Sequence, residues 1–520
     1  MTASQVQAVV DKSKAAAKIW KSSSFEQRKH LLRVILKYIL ENQEEICLIS
    51  SADSGKPMVD AAFGEIIVTC EKICWLINEG EQWLKPERRS TSRMMFYKKA
   101  QVEYHPLGVV GAIVAWNYPF HNLFNPLTAA IFAGNGCVIK PSEHSAWSAR
   151  KFSAVIDAAL EAAGAPAGLV QVVTGYSEAG EALVQSGLGK LIFVGSTGVG
   201  KKVMQAASAT LTPVVLELGG KDAFIVCEDA KLDAVLPTAL RGAFQSCGQN
   251  CAGAERFFVH ESLYQEFCSK AAAAATAMRQ GHALGDVHVD SGAMCMPGLA
   301  EKVQHLVDDA VKKGARVLAG GRLSKGQHAH GGSGGGQFYP ATVLVDVAPG
   351  MKIWEEETFG PVFAVTSFKT DEEAIQLAND CPFGLASSVF SSSTSRARKI
   401  GSQLEAGMTS INDFAATYMC QSLPFGGVKD SGFDRFAGVE GLRGLSIPKA
   451  VVEDRWPFST SIPPLLQYPV NEKAFGFVSN LVWMFYAPGL NGKAKGLWGL
   501  AKCFLPFGSS NEEKTKKKLV

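Results

Sequence analysis

The sequence predicts an α/β protein: a doubly wound parallel sheet followed by a second α/β segment. Three observations carry that expectation. Between residues 108 and 220, short apolar runs alternate with helical stretches of about twelve to twenty residues. A second alternating segment runs from 221 to about 432. The 51 glycines among 520 residues suit a fold punctuated by tight turns between strands and helices.

In chain order, two helical segments come first. The second is expected to begin after Ser24, because Ser24 and Gln27 form a capping-box pair. Leu31, Leu32, Ile35 and Ile39 then supply its apolar face. The run Ser54-Gly55-Lys56-Pro57 should end it, and a further helix should reach about Trp83. Residues 88–105 are polar and β-leaning, an excursion from the main body. The strands expected next are 109–115, 136–139, 169–173, 191–194 and 214–218. Each is predominantly apolar, as strands covered on both faces are. Within the second segment, the glycine-rich run 326–336 reads as a surface insertion rather than a metal site built on His328 and His330.

Composition narrows the function classes. A chain with 47% hydrophobic and 19% charged residues is that of a globular enzyme, and a net charge of +3 gives no reason to expect nucleic acid. Twelve cysteines are spread from Cys47 to Cys503, which suits reduced thiols in a cytoplasmic setting. Cys247 and Cys251 have no matching Cys/His pair at ligand spacing, so no metal is expected. Residues 1–24 lack the apolar core of a secretory signal. The hydrophobic stretch 108–140 is broken by Asn117, Pro119, His121, Asn122 and Asn125, so it is no membrane span.

The C-terminal tail differs. Residues 474–488 are almost wholly apolar, and 471–520 hold eight lysines against three glutamates, with Lys516-Lys517-Lys518 near the end. Fifteen apolar residues are too few to cross a bilayer, which takes about twenty. Aromatics flanked by lysines suit a peripheral membrane contact. A helix packed on the body or at a subunit interface fits the pattern equally.

Two short runs carry the chemistry. Leu216-Glu217-Leu218-Gly219-Gly220-Lys221 and Gly248-Gln249-Asn250-Cys251-Ala252-Gly253 place Glu217 thirty-four positions before Cys251. A thiol can attack a carbonyl carbon, and a carboxylate can activate the water that later releases the acyl group. Glycines in both runs let backbone approach a ligand closely.

With these runs, and with Asp222-Ala223-Phe224 and the phrase from Pro424 through Phe425 to Gly432, the chain over about residues 5–455 resembles the NAD(P)-dependent aldehyde dehydrogenase superfamily. It looks most like the plant family-22 branch. The resemblance implies that Cys251 is the nucleophile, Glu217 the general base, and Asn117 an oxyanion donor beside the Cys251 backbone N–H. Asn117 ends an apolar strand, where ligands sit in doubly wound sheets. Relatives that pass the acyl group to coenzyme A generally lack a glutamate at the Glu217 position, so the implied product is a free carboxylic acid.

Cofactor contacts implied by the resemblance are Trp116, Lys140, Glu143, Gly195, Ser196, Gly200, Leu218, Glu357 and Phe359. Gly195 to Gly200 opens a helix whose N–H groups can face a pyrophosphate. A carboxylate at Glu143 accepts ribose hydroxyls and repels a 2′-phosphate, which favours NAD over NADP. Tyr118 and Phe425 match walls of a substrate tunnel. Many members carry a glutamate where Phe436 follows Arg435, a residue thought to relay the base's proton; its absence leaves that exit route unassigned.

The implied fold is aldehyde dehydrogenase-like. It comprises a Rossmann-type NAD-binding domain (1–84 and 106–219), a second α/β catalytic domain bearing the thiol (220–432), a small β oligomerisation element (85–105 and 440–457), and an extension (458–520). A homodimer or homotetramer is expected, with a small-molecule aldehyde as substrate and a cytoplasmic location that the tail could shift to a membrane surface. Family-22 relatives usually carry a further N-terminal hydrophobic segment that this sequence does not show, which leaves a shortened gene model or a different localisation. The rival enzymatic readings are a coenzyme A-acylating or semialdehyde-specific member. The rival from another class is a non-catalytic scaffold or membrane-surface protein, against which an intact Cys251, Glu217 and Asn117 argue.

Overall fold

The computed structural model describes residues 1–285, 287–323 and 337–505. The run 326–336, with His328 and His330, and the Lys516-Lys517-Lys518 cluster lie outside the described residues. The chain divides into two compact units, one of Met1–Lys85 with Tyr104–Ile447 and the other of Pro86–Glu103 with Pro448–Val520.

Two large sheets organise the first unit among the described residues. One runs Gly432–Phe433, Val214–Glu217, Lys190–Val194, Val109–Val114, Gly136–Pro141, Val170–Val172. The five strands between 109 and 217 are parallel. They fall within two residues of the runs read from the sequence. Their β-branched and apolar side chains are almost all buried, because helices cover both faces. Val109–Val114 lies between its successor Gly136–Pro141 and the later Lys190–Val194, so the direction of winding reverses beside it. A crevice opens at the carboxyl ends of strands at such a point.

The helices that cover this sheet start where local chemistry says. Ser24 accepts the Gln27 N–H at 3.2 Å while Gln27 accepts the Ser24 N–H at 2.8 Å. The helix that follows is shorter than expected: it ends at Glu41, not at Ser54. Asn42 breaks it, leaving the helical region and turning its amide back onto the Tyr38 carbonyl at 2.8 Å. A separate helix, Gln43–Ser54, then stops at left-handed Gly55. Beyond Pro57 a helical run continues to Leu84, with wider turns at Ala62–Ile67 and Leu76–Gly80.

The second sheet runs Arg316–Ala319, Thr342–Val345, Val362–Phe368, Ala254–His260, Asp222–Val226, Ala386–Phe390, Met408–Ile411. It is parallel except for Arg316–Ala319. Its core includes the Phe257 and Phe363 rings stacked at 3.8 Å and Phe224 on Phe390 at 4.5 Å.

Glu87–Arg89, Lys98–Pro106 and Ser446–Asp454 form a three-stranded sheet, most of whose residues fall in the second unit. Helices Ala474–Tyr486 and Leu490–Phe504 fold into a hairpin. No helix of the described residues is long and apolar enough to cross a membrane.

Candidate active site

Two cavities meet at one small patch of wall. A cleft of about 900 Å³ opens along the carboxyl ends of the parallel strands, and a pocket of about 460 Å³ lies beyond it. Asn117, Glu217 and Cys251 line both. The three residues singled out for chemistry are therefore brought together where a ligand in either space reaches them.

Cys251 stands on a loop that the chain bends forcibly. Ser246, Cys247 and Gly248 are consecutive left-handed residues, with φ of 53°, 58° and 70°. Two non-glycine residues there are costly, and such strain persists only where the surroundings over-determine it. A side chain on Gly248 would collide with the Gly360 carbonyl, so only glycine fits. Buried Asp60 holds the bend: it accepts the Ser246 N–H at 2.8 Å and pairs with Arg241 at 2.6 Å. Gln249 donates to the Ser246 carbonyl at 3.1 Å and accepts the Cys295 N–H at 2.8 Å. Burial, and then the charge of Glu217, pushes the Cys251 thiol well above its ordinary range. The thiol is therefore neutral at rest.

Glu217 ends strand Val214–Glu217 and is 1% exposed. Burial raises its pKa to about 7, offset in part by hydrogen bonds from the Cys251 thiol and the Gly219 N–H. Its Oε1 has no partner among the described residues. A carboxylate balanced near neutrality with an oxygen to spare is suited to taking a proton from water. The strand is fixed from an unexpected side: Gly432 pairs with Glu217, and the Leu218 N–H donates to Ser431 at 3.1 Å.

Asn117 follows strand Val109–Val114 and is buried. Its Nδ2 donates to the Gln249 carbonyl at 3.1 Å, tying it to the Cys251 loop. Donors held in place before the reaction need no reorganisation when negative charge develops on an oxygen.

The larger cleft has the features a dinucleotide needs. Helix Thr197–Ala207 points its first turn at it, and its N-cap Ser196 makes no side-chain cap, which leaves N–H groups for an anion. Lys140 and Glu143 lie 3.6 Å apart on the wall, with Gly195 and Ser196 nearby. Gly200 packs against Leu218, where a side chain would clash. Leu218 thus supports the turn and is absent from the lining, while the other expected cofactor residues except Gly200 line the cleft. Glu357 accepts the Gly220 N–H at 2.9 Å, and burial with the charge of Glu255 raises its pKa to about 8. Phe359 meets Trp116 edge to face at 5.5 Å. That segment is anchored by Glu255, which accepts the Thr358 and Phe359 N–H groups at 2.8 Å each and pairs with buried Lys221 at 2.6 Å.

The smaller pocket is mostly apolar. Tyr118 and Phe425 line it as expected, joined by Phe63, Val68, Phe414 and Phe436. Phe436 packs on Phe425 at 4.8 Å, so the site of the missing glutamate is part of the wall. Tyr418 was not singled out from the sequence. It lines the pocket, packs on Phe425 at 4.7 Å, and shares a hydrogen bond with buried His121. His121 Nδ1 in turn meets Thr69 Oγ1 at 2.8 Å. Burial and the charges of Lys72 and Lys56 lower His121 to about 3, so the ring is neutral. Asp60, Arg241, Gln249 and Tyr418 were all missed. Gln249 lies inside the motif; the others have no local signal, because their partners are remote in sequence.

Comparison with known proteins agrees with this geometry. The model of the aldehyde dehydrogenase family matches residues 1–451. An aldehyde dehydrogenase-like protein of Saccharomyces cerevisiae is 41% identical over 96% of this chain and 80% of its own. One from Schizosaccharomyces pombe is also 41% identical, over 91% and 90%. The solved structure of PnpE from Pseudomonas sp. WBC-3 in complex with nicotinamide adenine dinucleotide has a TM-score of 0.82 and 29% identity, covering 89% of this chain and 92% of that one.

Proposed function

The chain belongs to the aldehyde dehydrogenase family, and from that premise we propose how Cys251, Glu217 and Asn117 divide its chemistry. It is an NAD(P)-dependent oxidoreductase that oxidises an aldehyde. The Cys251 sulfur bonds to the aldehyde carbon as its thiol proton passes to solvent water in the pocket. Asn117 Nδ2 and the Cys251 N–H stabilise the oxygen anion that results. A nicotinamide cofactor, which Lys140, Glu143, Ser196, Glu357 and Phe359 would hold in the cleft, would supply the acceptor for the hydride that leaves that carbon. Glu217 then takes a proton from water as the water oxygen attacks the thioester, and the carboxylic acid departs as Cys251 is restored. The observation that carries this reading is that these three residues line both cavities, so thiol, base and donor face substrate and cofactor spaces at once.

The proposed hydride acceptor is NAD, because Glu143 disfavours a 2′-phosphate. The proposed substrate is an aldehyde with an apolar body. The one cationic side chain among the pocket's lining residues, Arg241, is engaged by Asp60 at 2.6 Å, which argues against an acidic semialdehyde. The NAD-binding part is proposed as 1–84 and 106–219, the thiol-bearing part as 220–432, and 85–105 with 440–457 as the surface for a homodimer or homotetramer. A peripheral membrane contact is proposed for 458–520. The hairpin exposes Phe475, Val482, Tyr486, Leu497, Trp498 and Phe504, and its two helices carry three lysines and no acidic residue. Deleting residues from 471 onward should abolish binding to anionic vesicles; undiminished binding would end that part of the proposal.

The direct test of the chemistry uses Glu217→Gln with NAD and an apolar aldehyde. Intact-mass analysis should find the acyl group on the peptide containing Cys251, after one burst of NADH. Steady turnover at the wild-type rate with no modified peptide would overturn the assignment. Supplying coenzyme A to the wild-type enzyme should leave free acid as the product.

A further inference from the structure

We propose that Asn122 is a positioning residue for the oxyanion donor: it fixes which end of the Asn117 side chain faces the reacting carbonyl. The inference rests on Asn117 being that donor. A carboxamide is nearly symmetric in shape, yet only its nitrogen can stabilise an oxyanion, and the reversed orientation would present a repelling oxygen.

The hydrogen bonds leave one orientation. The Ala115 carbonyl can only accept, and Asn122 Nδ2 lies 3.0 Å from it. That sets which end of Asn122 carries the protons. Its other proton goes to Asn117 Oδ1 at 3.2 Å. Asn117 must then turn Nδ2 toward the Cys251 loop, where one proton meets the Gln249 carbonyl at 3.1 Å. The second has no acceptor among the described residues, and the side chain lines the pocket beside Cys251. A reversed Asn117 would set oxygen against the Gln249 carbonyl and nitrogen against nitrogen at Asn122.

Asn122 is itself held on a rigid base. It sits in the first turn of helix Pro119–Phe132, where Pro119 fixes the backbone and the Asn122 N–H bonds the Tyr118 carbonyl at 2.8 Å. Buried Glu65 accepts the Phe120 and His121 N–H groups at 2.9 and 2.8 Å and pairs with buried Lys56 at 2.6 Å. The carboxylate sits at the positive end of the helix, so that end is fixed in charge and place. A side chain on such a base can hold another within the tolerance catalysis needs.

Asn122→Leu removes the donor, and Asn122→Asp puts an acceptor in the same volume, inviting Asn117 to reverse. Each is compared with Asn117→Ala and with Asn117→Ala/Asn122→Leu by stopped-flow measurement of the NADH burst. The expected result is a burst slowed about 10- to 100-fold in both Asn122 variants, short of the roughly 10²- to 10³-fold loss for the donor itself. KM for NAD and the melting temperature should stay at wild-type values, and Asn122→Leu should add nothing once Asn117 is alanine. Slowing by Asn117→Ala with normal bursts in both Asn122 variants would overturn the role of Asn122, as would additive losses in the double variant. A normal burst in Asn117→Ala would instead overturn the assignment of the donor.

Discussion

The two cavities that meet at Cys251 are built in different ways. The larger cleft is contributed chiefly by one run of alternating strands and helices, 109–217, at its strand ends and along the helices that follow them. The smaller pocket is made of side chains drawn from Phe63 to Phe436, fixed by bonds between distant segments such as Asp60 with Arg241 and Tyr418 with His121. The difference teaches which property each can vary. A wall built from one continuous run of sheet and helix is set by the fold as a unit, whereas a wall drawn from distant segments can be exchanged residue by residue while the chemistry at the junction stays.

The junction should fail for both cavities at once. Cys251→Ala is expected to lower turnover by more than about 10⁴-fold with every aldehyde and with either cofactor. NAD should still bind, with its affinity checked by fluorescence titration. Residual activity that varied with aldehyde would mean a second nucleophile.

Glu217→Gln should cost about 10²- to 10⁴-fold in steady turnover while leaving the burst. Its pH dependence follows from burial. A carboxyl raised to about 7 is protonated and inactive as a base below that pH and ionised above it. Thioester hydrolysis should therefore rise with pH through about 7 and level off beyond. A rate flat from pH 5 to 9 would assign the base elsewhere.

Much of this asymmetry was legible in the sequence. Predominantly apolar runs located the parallel strands to within two residues, because strands buried on both faces have no alternative composition. Glu217, Cys251 and Asn117 stood out from short motifs. The break at Asn42 was hidden because the apolar periodicity carries on past it through Ile46, so only the Asn42 side-chain bond reveals it. Tyr418 and His121 are 297 positions apart, and no local pattern links them. The Gly432–Phe433 strand that braces Glu217 was invisible for the same reason: two residues have no periodicity.

Cleft and pocket should also separate in specificity. Glu143→Gln removes the charge that opposes a 2′-phosphate, so kcat/KM with NADP relative to NAD should rise about tenfold, worth about 1.4 kcal/mol. KM for the aldehyde should not move, since Glu143 lines the cleft alone. An equal change in both constants would show the two spaces to be coupled.

The smallest effect belongs to the pocket wall. Thr69, His121 and Tyr418 form a chain in which a neutral imidazole donates from one nitrogen and accepts at the other, and either hydroxyl can play the complementary part. The chain holds the Tyr418 ring against Phe425. Tyr418→Phe keeps the ring but leaves His121 Nε2 without its partner; His121→Leu does the converse. Losing one such buried link costs about 1 kcal/mol, so KM for an apolar aldehyde should rise about fivefold in each. KM for NAD should hold. The double variant should be no worse than the worse single one, because both remove the same bond. Since His121 is lowered to about 3, it does not titrate near neutrality, and the rise through about 7 set by Glu217 should keep its position in all three variants. A shift of that midpoint in Tyr418→Phe would tie the wall to the base, and the pocket could then no longer vary without altering the chemistry.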